Sequence, residues 1–205
     1  MAEPSATTLL FSTITAIIAV VALVISASTF WLTHFNRGRL RLTRPMMFFF
    51  GWDNRDDDDT PKVTFRAALF STASKGQLLE NLYLVLHHPD GKTTLPFWGY
   101  DAGSGMVRGS GVHVPQSGLV AYHHFNPIGV DELLSFSPGS YRVEVWAKDF
   151  LSKSNKKIGE YLFSLSADVG TNLRHRDGGV LWSWSPTDME YVPEVSPRKI
   201  PLKNA

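Results

Sequence analysis

The residues best suited to chemistry in this sequence are its seven histidines. Two adjacent pairs, His87–His88 and His123–His124, and the separate His113 fall in segments with the composition of β-strands. Imidazoles on neighbouring strands can bind zinc, so these five are the candidate metal ligands. Adjacent strand residues point to opposite faces, so each pair offers one ligand to a given face unless the strand ends between them. We therefore expect strand-end histidines bonded to backbone, and we predict no bound metal or cofactor.

Two polar loops suggest other ligands. The acidic run Asp53–Asp59 carries carboxylates of the kind that bind calcium. An EF-hand loop starting at Asp53 needs Gly at its sixth position and Glu at its twelfth, where Asp58 and Thr64 stand. The glycine-rich run Gly99–Gly111 leads into VHVP, a strand, whereas a phosphate-binding loop leads into a helix N-terminus. A solvated loop and glycine-containing hairpins or bulges are the favoured interpretations.

Catalytic motifs are missing from the sequence. There is no cysteine, which excludes disulfides, thiolate nucleophiles and cysteine-based zinc sites. The motifs GxSxG and HExxH do not occur, and Ser154 and Lys157 match SxxK only within a polar loop. We predict that the protein is not an enzyme, and a hydrolase is kept as an alternative.

Aromatic residues are the last group with binding potential. A flat aromatic face can bind a glycan or a peptide, whereas aromatic residues at strand period two usually form the core of a β-sandwich. The core is the favoured interpretation. The residues concerned are Trp98, Tyr100, Trp146, Trp182, Trp184 and Tyr191.

These residues follow a long apolar segment, Leu9–Leu32. No Asp, Glu, Lys or Arg occurs between Pro4 and Asn36. About 20 apolar residues in a helix cross a bilayer, so we predict a transmembrane helix over residues 9–35, after a short tail of residues 1–8. A cleavable signal peptide is the alternative, but it needs a basic start and a shorter apolar run.

One face of the predicted helix carries only small residues. Such stripes let membrane helices approach closely, and hydroxyl groups can bond across the contact. We predict helix packing through this stripe, by self-association or with another membrane protein, and a lipid-facing stripe is the alternative. Its members are Ser12, Thr15, Ala19, Ala22, Ser26, Thr29 and Thr33.

Basic residues follow the helix directly, at Arg37, Arg39, Arg41 and Arg44. Lys and Arg beside a transmembrane helix favour the cytoplasmic side, so we predict that the following domain is cytoplasmic. The alternative is that these arginines simply begin the first strand. The net charge of +1 gives no reason to expect a nucleic-acid partner.

Short strands separated by turn residues fill residues 36–192. Alternating apolar residues at Leu82, Leu84 and Leu86, and a turn at His88–Gly91, exemplify the pattern. We predict a mainly β fold, an immunoglobulin-like antiparallel β-sandwich preceded by one transmembrane helix. The segment FSPGSYRVEVWA matches the position at which such sandwiches place a tyrosine that bonds back to the backbone, here Tyr141.

The chain ends in a proline-containing tail of few apolar residues. We predict that residues 193–205 are disordered. Pro96 interrupts the strand at Thr93–Tyr100, which predicts an edge position for that strand.

The segments PKVTFRAALFSTASKGQLLENLYL, PFWGY, VRGSGVHV, HHF and PGSYRVEV resemble a group of small bacterial single-pass membrane-anchored proteins. The resemblance covers most of the domain. It implies a recurrent bacterial module located at the inner, cytoplasmic membrane. It implies no activity.

Three functional hypotheses follow. The first is a membrane-anchored binding or scaffold module that holds a protein partner at the membrane. The second is a tethered sensor or accessory domain that binds a small ligand or metal through its histidines or glycine-rich loops. The third is the hydrolase. The anchor, the fold class and the missing catalytic motifs favour the first.

Overall fold

The computed structural model describes residues 6–35, 38–53, 60–73, 75–101, 105–109, 111–128, 136–174 and 178–197. The described residues form two helices and twelve strands, in a mainly β, antiparallel arrangement with an N-terminal apolar helix. In chain order these are α1 Ala6–His34, β1 Leu40–Leu42, β2 Met47–Asp53, β3 Thr60–Ser71, β4 Gln77–His88, β5 Gly91–Asp101, β6 Gly105–Arg108, β7 Val112–Val114, β8 Leu119–Phe125, β9 Gly139–Asp149, β10 Lys156–Leu165, α2 Ala167–Arg174, β11 Gly178–Ser185 and β12 Glu190–Pro197.

Helix α1 has the length and apolarity needed to cross a membrane. Its segment Leu9–His34 has a mean hydropathy of 2.6, and none of it is buried against the domain. The absence of β-turn residues and charges lets the helix run without interruption. The predicted transmembrane segment thus coincides with one continuous apolar helix.

The strands follow one continuous pairing order, β10-β9-β4-β5-β8-β3-β2-β11-β12, which encloses one core and which we divide at β5 into two parts called sheets A and B. The first, sheet A, has the order β8-β3-β2-β11-β12, with β1 added beside β3. The second, sheet B, has the order β10-β9-β4-β5, with β7 added beside β4. Phe163 of β10 lies 4.9 Å from Phe48 and 5.2 Å from Trp182, ring centre to ring centre, so sheet B packs across sheet A.

Strand β5 joins the two sheets. Its first half pairs with β4 as far as Tyr83↔Pro96, and Phe97 and Trp98 then pair with β8. The edge position predicted for this strand is wrong, because Pro96 lies inside the strand order where β5 changes sheets. A residue without an N–H is tolerated at this point because the pairing to one strand ends here and the pairing to the next begins.

Alternation along the strands builds the core as predicted. Leu82, Leu84 and Leu86 on β4 and Val143 and Val145 on β9 are all buried, and the residues between them are more exposed except for Val85, which is 5% exposed. Burial of each such side chain stabilises the fold by about 1.5–3 kcal/mol. One continuous apolar cluster results, so the strands form a single structural unit.

The bond predicted for Tyr141 is present. The Tyr141 side chain is buried, and its hydroxyl donates to the backbone carbonyl of Ser137 at 2.6 Å. Gly139 lies between them with φ +142°, and a Cβ there would stand 2.6 Å from Pro89. Glycine is therefore required for the chain to turn into β9 at this place.

Strand β6 lies in the glycine-rich run, for which hairpins or bulges are predicted, and β12 lies partly in the predicted tail. Strand β6 is a hairpin partner of β5. Strand β12 extends to Pro197 and pairs along its whole length with β11, so residues 193–197 are part of the sheet and not disordered as predicted. Residues Ala167–Arg174 form the short helix α2.

Candidate functional site

The two adjacent histidine pairs are divided between faces, as strand geometry requires. His87 points outward from β4, with its Nε2 3.5 Å from Glu144 Oε2. His88 stands at the end of the strand, where its Nε2 is 3.0 Å from Thr93 Oγ1 and its ring stacks toward Tyr141. Burial lowers the pKa of His88, with a smaller opposing effect of the Asp90 charge. The two imidazoles therefore lie in different environments and contact different partners.

His123 and His124 are divided in the same way. His123 is buried in the core, 2% exposed, with its Nε2 3.3 Å from the Ala67 carbonyl oxygen. His124 faces outward, with its Nδ1 3.1 Å from Thr64 Oγ1. Burial lowers the pKa of His123, and the bond to the Ala67 carbonyl offsets this only in part. A neutral core imidazole is the resulting role of His123.

His113 is exposed on the short strand β7. Within the described residues no group of three or more His, Cys, Asp or Glu side chains is placed to hold a metal ion. The five candidate ligands are thus not brought together by the fold. Residues 54–59 of the acidic run lie outside the described residues.

The predicted basic cluster is spread over the start of the domain. Arg37 lies outside the described residues. The backbone N–H of Arg39 donates to Thr72 Oγ1 at 2.7 Å, and Arg41 is an exposed residue of β1. Arg44 is separate from these, because its guanidinium carbon lies 4.0 Å above the centre of the Trp184 ring.

The small-residue stripe of α1 is exposed along the helix. Four of its hydroxyl groups bond within the helix, because each donates to a carbonyl three or four residues earlier. This is the usual way in which Ser and Thr satisfy their hydroxyls in an apolar helix. The stripe members with such bonds are Ser12, Thr15, Thr29 and Thr33.

Glu144 is the centre of a polar network on the outer face of sheet B. Trp146 Nε1 donates to its carboxylate at 3.1 Å, and Lys157 Nζ and Arg142 Nε lie 3.5 Å and 3.7 Å away. Burial alone would raise the pKa of Glu144, but hydrogen bonds from Trp146 and His87 and the Lys157 charge outweigh it and lower the pKa. A carboxylate held ionised by these partners ties strands β4, β9 and β10 together.

Lys157 of the SxxK match lies in β10 and forms ion pairs with Glu144 and Glu160. Ser154 lies in the exposed turn before that strand. Among the described residues the Lys157 ammonium contacts these two carboxylates and not the Ser154 hydroxyl. The two residues are therefore not arranged as a nucleophile and its base.

A cavity lies between the free edges of β10 and β12. Within the described residues β10 pairs only with β9, and β12 only with β11. The open cavity between these edges has a volume of about 750 Å³. We call it the seam groove, and we define it by Arg44, Tyr161, Trp182, Trp184, Met189 and Tyr191.

Aromatic rings form the floor and one wall of the seam groove. Tyr191 lies 5.0 Å from Trp184 and 6.3 Å from Tyr161 between ring centres. The Tyr191 hydroxyl donates to the carbonyl of Pro45 at 2.7 Å, which fixes the ring against the start of β2. The two rings and the indole therefore present a rigid apolar surface.

Burial raises the pKa of Tyr161 to about 12, although the Arg44 charge acts in the opposite direction. Burial also raises the pKa of Tyr191, and the neighbouring Tyr161 adds to this effect. Both hydroxyls stay protonated at neutral pH. They serve as hydrogen-bonding groups and not as bases.

Arg44 supplies the positive charge of the groove. It is exposed, stacks on Trp184 and has no carboxylate partner among the described residues. Such a guanidinium is available to a carboxylate of a bound molecule, with which Arg forms strong, directional bonds. The groove thus combines apolar rings with one available cation, and its lining also includes two acidic residues, Glu190 and Glu160, of which Glu160 pairs with Lys157.

The rim of the groove includes a strained residue. Met189 has φ +58° and its side chain is 68% exposed. The turn that holds it is fixed by a bond from Ser185 Oγ to Asp188 Oδ2 at 2.6 Å and from Met189 N to the Ser185 carbonyl at 2.9 Å. A left-handed conformation is unfavourable for a residue with a side chain, and such strain is often found at functional sites.

Comparison with known proteins adds no relative. No protein-family model matches the chain, and no curated protein is significantly similar to it. Sequence reasoning assigned Trp182, Trp184 and Tyr191 to the core, which is correct for Trp182, whereas Trp184 and Tyr191 are only partly buried. Arg44 and Met189 were missed as parts of a site, because nothing in the sequence places them beside these rings.

Proposed function

We propose that the protein is a membrane-anchored binding module that holds an extended segment of a protein partner in the seam groove. The observation that carries this proposal is the groove itself, an aromatic surface with an available cation between two strand edges. Exposed strand edges and aromatic grooves are the surfaces with which β-domains bind extended peptides.

The anchor is α1. Its length and mean hydropathy of 2.6 support a single transmembrane span. The arginines after the helix favour a cytoplasmic domain, and the resemblance to bacterial anchored proteins favours the inner membrane. A tether restricts the partner to the membrane surface and raises its effective concentration there.

The strand order supports an immunoglobulin-like description of the domain. Strands β2, β3 and β8 pair as strands A, B and E do in that fold, and β4, β9 and β10 as C, F and G. Tyr141 near the start of β9 occupies the position of the tyrosine corner. Strands β11 and β12 are an addition beside β2, and this addition creates the second edge of the groove.

The chemistry of the groove indicates the chemistry of the partner. Trp184 and Tyr191 offer flat apolar surfaces for a large side chain. Arg44 is placed beside them, where its guanidinium can donate hydrogen bonds to a carboxylate. We therefore expect an extended segment that carries an acidic residue next to apolar ones.

The sensor and hydrolase alternatives are not proposed. The candidate histidines lie in separate environments, and the described lining of the seam groove contains tyrosine hydroxyls that stay protonated at neutral pH. No observation on the described residues favours either alternative.

Photo-crosslinking tests the proposal. We would place benzoylphenylalanine at Val192, which is 45% exposed beside the groove, in the full chain in native membranes. The matched control is the same substitution at Tyr122, which is 53% exposed on the outer face of sheet A. The expected result is one crosslinked protein at Val192 that is absent at Tyr122, with the crosslinked segment identified by mass spectrometry.

The charge reversal Arg44→Glu decides whether the groove is responsible. It should abolish the crosslink at Val192 and lower the melting temperature only slightly, because Arg44 is exposed and loses its stacking on Trp184. A crosslink that survives Arg44→Glu, or that forms equally at Tyr122, would contradict binding in the seam groove.

A further inference from the structure

The turn between β9 and β10 presents two large apolar side chains to solvent. Phe150 is 64% exposed and Leu151 is 63% exposed. The turn is nevertheless fixed, since Phe150 N donates to the Leu78 carbonyl at 2.9 Å and Leu151 N donates to Asp149 Oδ1 at 3.1 Å. Neighbouring apolar residues on a fixed turn indicate a surface that is covered in the working protein.

The end of α1 lies beside this turn. A cavity of about 300 Å³ is shared by Thr33, His34 and Phe35 of the helix end with Leu78, Phe150 and Leu151 of the domain. Trp31 and Phe35 stack at 5.2 Å near the same end. Aromatic residues at the end of a transmembrane helix lie at the level of the lipid headgroups. The β9–β10 turn therefore lies at that level as well.

Cationic side chains surround the apolar pair. Lys75 lines the same cavity, and a second cavity of about 330 Å³ joins Leu151 to Arg39, Arg41 and Lys156. Among the described residues that line the two cavities, Asp149 is the one acidic residue, and its Oδ1 already accepts from Leu151 N. The charge of this surface is complementary to anionic lipid headgroups.

We propose that this surface docks on the bilayer, with Phe150 and Leu151 inserted among the headgroups and the flanking cations bound to anionic lipids. Amphipathic surfaces of this kind insert shallowly and depend on anionic lipid. The proposal rests on α1 spanning the membrane, as proposed above. It adds that the domain is held in a fixed orientation and is not merely tethered.

The test uses the absence of cysteine from the chain. Ser152→Cys places a single label site in the turn without changing Phe150 or Leu151. The full chain, labelled with bimane, is reconstituted in nanodiscs that contain phosphatidylcholine with or without phosphatidylglycerol. Lipids carrying a nitroxide near the headgroup then report contact by quenching.

Two further label sites separate the possible failures. Leu162→Cys, 69% exposed on β10, is the control for a surface away from the proposed contact, and Ile18→Cys reports on the middle of α1. We expect shallow quenching at position 152 in anionic discs, less in zwitterionic discs, and little at position 162. Ile18→Cys should be quenched by a nitroxide placed deep in the acyl chain.

The double substitution Phe150→Ser with Leu151→Ser should remove the quenching at position 152, since both side chains are exposed and the fold does not depend on them. Quenching at position 152 no greater than at position 162, with position 18 still quenched, would overturn the docking surface but not the anchor. Absence of deep quenching at position 18 would overturn the anchor itself. Equal quenching at position 152 in both lipid compositions would overturn the role of the cations.

Discussion

His123 should make the domain sensitive to acid. The imidazole is 2% exposed, and its ring lies 5.3 Å from Phe65 and 6.2 Å from Phe97 between ring centres. Burial lowers its pKa, so the folded state holds the neutral form. Acidification must therefore either place a charge between these rings or unfold the domain.

The sign and size follow from proton linkage. An unfolded histidine has a pKa of about 6.5, so below that pH the unfolded state binds a proton that folded His123 excludes. The contribution to stability is fully present above pH of about 6.5 and is lost as the pH falls toward the lowered pKa of the folded state. If His123 stays neutral throughout, the loss between pH 7 and pH 5 is about 2 kcal/mol.

Urea unfolding of the full chain in detergent micelles, followed by tryptophan fluorescence, measures this loss. We expect the free energy of unfolding to decrease less on acidification from pH 7 to about pH 5 in His123→Leu than in the wild type. His113→Leu is the matched control, because His113 is exposed on β7 and should leave the slope unchanged. The pKa of His88 is also lowered, but His88 is present in every variant, so its contribution to the pH dependence cancels in the comparison. A wild-type slope that persists in His123→Leu would refute the reasoning.

Three further predictions concern the corner, the groove rim and the helix. Tyr141→Phe should reduce the free energy of unfolding by about 1–2 kcal/mol, because it removes the hydrogen bond that the buried Tyr141 side chain donates to the Ser137 carbonyl; an unchanged urea midpoint would show that the bond adds nothing. Met189→Gly should stabilise the domain by up to about 1 kcal/mol through relief of its positive φ, and should weaken the crosslink at the seam groove by removing a side chain. Ala19→Leu should reduce contacts of α1 in a membrane two-hybrid assay, whereas Ile18→Leu should not; equal behaviour of the two would make the stripe incidental.

Sequence patterns predicted those elements whose side chains alternate between core and solvent. The sequence predicts short strands at Val112–Val114 and Leu119–Phe125, on either side of the PQSG turn, and these are the bounds of β7 and β8. Alternation works here because one face of each strand is covered by the opposite sheet, which imposes a period of two on apolar residues. The corner at Tyr141 was predictable because it depends on residues only four positions apart.

Strand β12 could not be predicted in this way. Its residues Val192, Pro193, Glu194 and Val195 are all exposed, so no burial imposes an alternating pattern on them. The strand is held by antiparallel pairing with β11, in a register that places Tyr191 opposite Trp184 and Val195 opposite Val180. Hydrophobic patterns in a sequence indicate which side chains are buried and not which backbones pair. An edge strand of exposed residues therefore cannot be distinguished by these patterns from a disordered tail. Proline is compatible with such an edge.

The seam groove could not be predicted from the sequence for a related reason. Trp182 and Trp184 share one face of β11, and alternation correctly places both on the inner side. Phe163 of β10 covers Trp182 at 5.2 Å between ring centres, which makes it core. Two residues further on, Trp184 is covered instead by Arg44 at 4.0 Å and stays half-buried. Period two tells which side a residue faces, but not where the opposite sheet ends. The proposed binding surface begins where the inner face of sheet A extends past β10.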